Sequence, residues 1–130
     1  MYRKLSCLFI IVVFLSQFAV AQNTHVVHKG WADLRTWDNT SSVMLDGEWE
    51  FYWNKLYSPS DLHKIAPQAD YVYMPQLFHQ VEKDGKKLDN FGYATYRIRI
   101  LTSANKKQLG IATERLFSAS KVWINGRLVL

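Results

Sequence analysis

The chain has 130 residues, with 16 Lys and Arg against 11 Asp and Glu, a formal net charge of +5 and a single cysteine. That length suits one domain with one core, and no low-complexity linker or internal repeat divides it. The charge is mild and interspersed, and its densest basic pairs, Lys86-Lys87 and Lys106-Lys107, sit in polar segments that read as solvated loops, which argues against a nucleic-acid partner.

The amino end, MYRKLSCLFIIVVFLSQFAVAQ, opens with Arg3 and Lys4, runs apolar from Leu5 to Leu15 and closes on Ala19-Val20-Ala21. A basic start, a short apolar run and a small-x-small close predict a secretory signal peptide cut after Ala21. The run falls short of the roughly 18 residues expected of a spanning helix. Cys7 sits near its start, the wrong place for a lipid-modified cysteine. Cleavage would remove two of the 16 basic residues and none of the acidic ones, bringing the net charge from +5 to +3. It would also remove Cys7, so the exported domain is expected to hold no disulfide and to fold by packing alone. The expected organisation is a signal peptide over 1–21, a lead-in over 22–30 and a single domain over 31–130.

Beyond the leader, a period of two dominates. GEWEFYW, ATYRIRI, LGIA and KVWINGRLVL are short, rich in aromatic and β-branched residues and separated by turn residues, which predicts strands. Asp46-Gly47 and Asn125-Gly126 are dipeptides that favour tight hairpin turns. One short helix is predicted at SPSDLHKIA, with Ser58 or Ser60 as its cap. The pattern predicts an all-β, antiparallel sandwich with a short helical insertion.

Within LDGEWEFYWNKL, alternation places Trp49, Phe51 and Trp53 on one face and Glu48, Glu50 and Tyr52 on the other. In ATYRIRI, Tyr96, Ile98 and Ile100 share a face opposite Thr95, Arg97 and Arg99. If the two strands are neighbours, their apolar stripes share a core and Glu48 and Glu50 lie across from Arg97 and Arg99. The three aromatics then read as core, since each buries about 150–250 Å². Tyr52, on the acidic face, is the better candidate for contact with a partner.

Catalytic readings find little support. The histidines are His25, His28, His63 and His79, and the His25-x-x-His28 pair has no recognisable third metal ligand nearby. Glu48 and Glu50 could be close enough for glycosidase chemistry, but paired acids beside a basic strand are ordinary. No nucleophile elbow, phosphate loop or dinucleotide fingerprint occurs. No cofactor is expected. For binding, a flat aromatic beside planar polar groups suits a sugar, and the candidates are Tyr52, Trp123, Arg97, Arg99, Glu48 and Glu50. Trp123 alternates with Val122 and Ile124, so the aliphatics are expected inside and Trp123 partly exposed; Asn125 is expected to hold the turn.

LDGEWEFYW, the Pro-centred YMPQLF, FGYATYRIRI and SASKVWINGRLVL, in this order, resemble the second type of extracellular domain of bacterial seven-transmembrane receptors with diverse intracellular signalling modules. KGWADLRTW resembles the lead-in to such domains. The resemblance implies a galactose-binding-like jelly roll outside the membrane that senses a carbohydrate or another small molecule. It also implies further strands, seven membrane helices and an output module downstream, so the domain is expected to be incomplete after Leu130 and joined to the membrane only through that downstream region. An incomplete sandwich would expose an edge and part of its core, and a short form secreted as a binding module is a further expectation. A second resemblance, to the sugar-binding accessory domain at the amino end of glycoside hydrolase family 2 enzymes, rests on L-x-G-x-W-x-F and V-W-x-N-G. Phe78 stands where either family often shows Trp, which speaks against a stacking role there. GYATYRIRI and EWEFYWNKL favour the receptor family.

Overall fold

The computed structural model describes residues 26–38, 40–65, 68–103, 109–113 and 118–130. The segment expected as a signal peptide (1–21, with Cys7), His25 and Lys106-Lys107 lie outside the described residues. No helix among the described residues is long and apolar enough to cross a membrane.

The chain is all-β. Its main sheet has six strands: β1 (Val27–His28), β2 (Trp31–Leu34), β3 (Gly47–Trp53), β4 (Asp70–Met74), β7 (Ala94–Arg97) and β8 (Arg99–Thr102). Two hairpins stand outside it, β5 (Glu82–Lys83) with β6 (Lys86–Lys87), and β9 (Trp123–Ile124) with β10 (Arg127–Leu128). The central strand is β3, where aromatic and half-buried positions suit the pleat. One edge of β3 pairs antiparallel with β4. The other edge is shared: Gly47 faces Val27 of β1 in parallel, and Glu50 to Trp53 face β7 antiparallel.

That sharing explains two departures from the expected pattern. ATYRIRI is not one strand; it breaks at Ile98, because β7 pairs with β3 while β8 runs on beside β2, parallel, with Trp31 opposite Arg99. The sheet is consequently mixed and not purely antiparallel, with parallel pairings β1–β3 and β2–β8. The segment expected as a lead-in supplies half of this arrangement: β1 and β2 form a hairpin whose turn residues Lys29 and Gly30 have φ of 46° and 76°. LGIA carries no strand.

The glycine turns divide in the same way. Asn125-Gly126 makes the expected tight turn, both residues with positive φ between Ile124 and Arg127. Asp84-Gly85 does the same for β5–β6. Asp46-Gly47, expected as a hairpin turn, instead opens β3. A Cβ on Gly47 would lie 2.1 Å from the Val27 carbonyl oxygen, so glycine is needed there for the close approach of β1.

The predicted alternation holds through the sheet. Register puts Trp49, Phe51 and Trp53 on the same face as Val72, Ala94, Tyr96, Val27 and Ala32. Phe51, Val72 and Val81 are buried at the centre of this core, with Trp53, Met74, Phe78, Leu88, Ala94 and Tyr96 packed around them. Phe51 stacks on Trp53 at 6.0 Å and tilts against Tyr96 at 5.2 Å. Phe78 meets Trp53 edge-on at 4.9 Å, so it is a packing residue. Trp49 donates its indole N–H to the Leu45 carbonyl at 2.8 Å, which pins the entry to β3.

The helix α1 (Pro59–Ile65) forms where expected. Ser58 precedes it, Pro59 takes the first helical position, and Asp61 accepts from both the Ser58 amide (2.9 Å) and hydroxyl (2.6 Å), closing the first turn. Leu62 is buried, and Tyr52 meets Tyr57 edge-on at 5.4 Å. The connection from β3 through α1 thereby covers one end of the polar sheet face.

Candidate functional site

The acidic face of β3 is where the chemistry collects. Glu50 lies opposite Arg97 of β7 and Tyr71 of β4. Its Oε2 accepts from Arg97 Nε at 2.5 Å and from the Tyr52 hydroxyl at 2.9 Å, and its Oε1 accepts from Arg99 Nη1. Arg97 also donates to the Leu62 carbonyl at 3.1 Å, satisfying an oxygen in the last turn of α1, and reaches the Tyr52 oxygen at 3.4 Å. Gly30 closes the floor: a Cβ there would lie 2.6 Å from Glu50 Cγ.

Glu50 is only 2 % exposed. An ionised carboxylate at that depth is expensive unless paired and hydrogen-bonded, and here both oxygens are engaged by charged donors. Burial pushes the Glu50 carboxyl up, but the bonds from Arg97, Arg99 and Tyr52 outweigh it and hold the group below its ordinary value. The same burial, with the carboxylate alongside, pushes the Tyr52 hydroxyl up to about 12. Glu50 is thus a fixed anion that organises two arginines.

The structure brings together five of the six candidate residues: Glu48, Glu50, Tyr52, Arg97 and Arg99 share this face. Two expectations are corrected. Tyr52 is 5 % exposed, not a free contact residue, because Tyr57 and α1 fold over it. Glu50, read as one of two ordinary exposed acids, is buried for the reason just given. Glu48 remains at the surface, where its Oε2 accepts from the Lys29 amide at 3.2 Å and lies 2.7 Å from His28 Nδ1. Trp123 stands apart on the β9–β10 hairpin, 38 % exposed as expected, and Val122 is more sheltered, but Ile124, expected inside beside it, is 40 % exposed because this two-stranded hairpin lies outside the main sheet. Among the described residues no hydrogen bond, ion pair or ring contact joins Trp123 to the Glu50 cluster.

Sequence reasoning missed Trp31. It pairs with Arg99, whose guanidinium carbon sits 4.8 Å from the indole centroid, and it is 46 % exposed. The available signal was KGWADL, an alternating segment following a Lys-Gly turn.

Elsewhere, a shallow concavity of about 180 Å³ lies by Phe51, Tyr71, Val81 and the Lys83–Asp70 ion pair. It is smaller than the roughly 300 Å³ at which ligand pockets begin. No group of three His, Cys, Asp or Glu among the described residues is placed to hold a metal. Comparison with protein families, curated proteins and solved structures returns no match.

Proposed function

We propose that the chain is an exported ligand-binding domain, a jelly-roll sandwich of the receptor-sensor type, taking a carbohydrate or another small molecule on the polar face of its main sheet. The observation that carries this reading is the Glu50 cluster: a buried anion fixes Arg99, and Arg99 braces a half-exposed tryptophan at the surface. Planar donors and an aromatic ring held before any ligand arrives reduce the ordering that binding would otherwise require.

The domain acts by binding and not by glycosidase chemistry. A general acid must give up a proton, and Glu50 is held ionised by two guanidinium groups. Glu48, its only acidic neighbour along the strand face, is engaged by His28 and the Lys29 amide.

The test is thermal unfolding of the full chain, expressed with export, against a broad panel of glycans, amino acids and small metabolites. A ligand that binds only the folded form raises the melting temperature, by an amount that grows with concentration above Kd. A chain recovered outside the cytoplasm with Gln22 at its amino end, and stabilised by one ligand class, fits the proposal. A product retaining Met1 in the cytoplasm, or one that no small molecule stabilises, overturns it.

A further inference from the structure

We infer that the ligand is a neutral, linear oligosaccharide that crosses the strands between Trp31 and Tyr73, over Glu48 and His28; this rests on the binding reading above and specifies its site and ligand. Register places the four side chains in one row on the polar face. Tyr73 of β4 lies opposite Glu48 of β3, His28 of β1 contacts Glu48, and Trp31 of β2 lies opposite His28. Three strand spacings separate Tyr73 from Trp31, about 14 Å. That is longer than one pyranose ring and suits a short chain of them.

The row is open to solvent, unlike the other end of the same face. Trp31 and Tyr73 are exposed, and the His28 side chain is 77 % exposed. Arg99 lies over the Trp31 ring from the β8 side, His28 is its cross-strand neighbour on the row side, and the tryptophan stays 46 % exposed. Two aromatic walls offer apolar surface to the C–H faces of sugar rings. Between them, His28 Nδ1 and the Lys29 amide both engage Glu48 Oε2, which leaves Glu48 Oε1 and the second imidazole nitrogen of His28 to offer hydrogen bonds to hydroxyls.

Charge selects among polar ligands. On this face Glu50 pairs with both Arg97 and Arg99, while Glu48 lies 2.7 Å from His28 Nδ1. The two carboxylates and the two guanidinium groups cancel formally, so these four groups give a phosphate, a uronate or an ammonium group no net charge to pair with. A neutral ligand rich in hydroxyls fits that balance.

Isothermal titration of the full exported chain with maltotriose, cellotriose, xylotriose and mannotriose, and with the anionic trigalacturonate, tests the inference. The expected result is binding of a neutral trisaccharide that Trp31→Ala weakens roughly tenfold or more and Trp31→Phe largely preserves. Tyr73→Ala should also weaken it, while Trp123→Ala, on the separate hairpin, should not. Should Trp31→Ala lose its cooperative melt, the Trp31 indole N–H resonance, identified by its absence in Trp31→Phe, must shift on titration of the wild-type chain. Binding unaffected at Trp31 and Tyr73, or confined to trigalacturonate, overturns the inference. So does failure of every trisaccharide to bind while another small molecule stabilises the chain in the thermal-unfolding panel, an outcome that leaves the broader binding reading standing. If nothing binds at all, both fall.

Discussion

Truncating Glu50 is the sharpest test of the structure. In Glu50→Ala the carboxylate disappears from a site that is 2 % exposed, and two guanidinium groups, with Arg97 and Arg99 side chains 15 % and 30 % exposed, lose their shared anion. Arg97 keeps the Leu62 carbonyl and the Tyr52 oxygen, and Arg99 keeps Trp31, so neither is stripped of every partner. Removing one side of a buried pair destabilises by about 3–5 kcal/mol, and the remaining contacts put the expectation near the lower half, about 3–4 kcal/mol. For a domain whose total stability lies around 5–15 kcal/mol, that is a large fraction. Glu50→Gln keeps the shape and one acceptor, and should cost about 1.5–3 kcal/mol, the range for hydrogen bonds to charged groups. The assay is urea denaturation followed by circular dichroism, read as a fall in midpoint at constant slope. Pairing Glu50→Ala with Arg97→Ala should recover at least about 1 kcal/mol relative to additivity. A loss below about 1 kcal/mol for Glu50→Ala, or strict additivity in the double variant, would refute the argument that the anion organises the face.

Other substitutions probe the surrounding packing. Gly47→Ala should destabilise by at least about 2 kcal/mol, since φ of 126° and a Cβ 2.1 Å from the Val27 oxygen both oppose it; a shifted urea midpoint reports it. Phe51→Ala should cost about 3–5 kcal/mol in the same assay, by emptying the centre of the core. The pH profile of the melting temperature should fall at both ends. Glu50 titrates below its ordinary value in the fold, so its contribution is present above about pH 4.3 and is lost as the pH drops through the lower folded value; Glu50→Gln should flatten that limb. Tyr52 and Tyr96 are pushed up to about 12, mainly by burial, so the fold favours their neutral forms; stability should fall as the pH climbs from about 10 toward 12, less steeply in Tyr52→Phe. Asp33→Asn should leave the urea midpoint unchanged, because its ion pair with Arg35 is made at the exposed surface.

Much of the candidate site was legible from alternation alone. A strand admits only two faces, so GEWEFYW and ATYRIRI fixed which side chains could meet once the strands were neighbours, and Glu50 does lie opposite Arg97. The place of the short helix was equally local, read from SPSDLHKIA, while the structure decides between the two expected caps in favour of Ser58, joined to Asp61. Burial was not legible. Period two assigns Glu50 and Tyr52 to the acidic face but says nothing of what covers it, and the cover comes from Tyr57 and α1, beyond the strand itself. Trp31 was missed for a related reason: its role depends on Arg99, 68 positions later in the chain, which only the parallel pairing of β2 with β8 brings alongside.

By itself, then, the sequence determined the all-β class, the two-sided chemistry of the central strand, the place of α1 and the Asn125-Gly126 turn, because each depends on residues within a few positions of one another. The break at Ile98, the use of Gly47 for close approach instead of a turn, and the depth of Glu50 were decided by the tertiary structure. Each requires segments distant in the chain to compete for the same edge of β3 or the same face of the sheet, and that competition is settled only when the strands pack together.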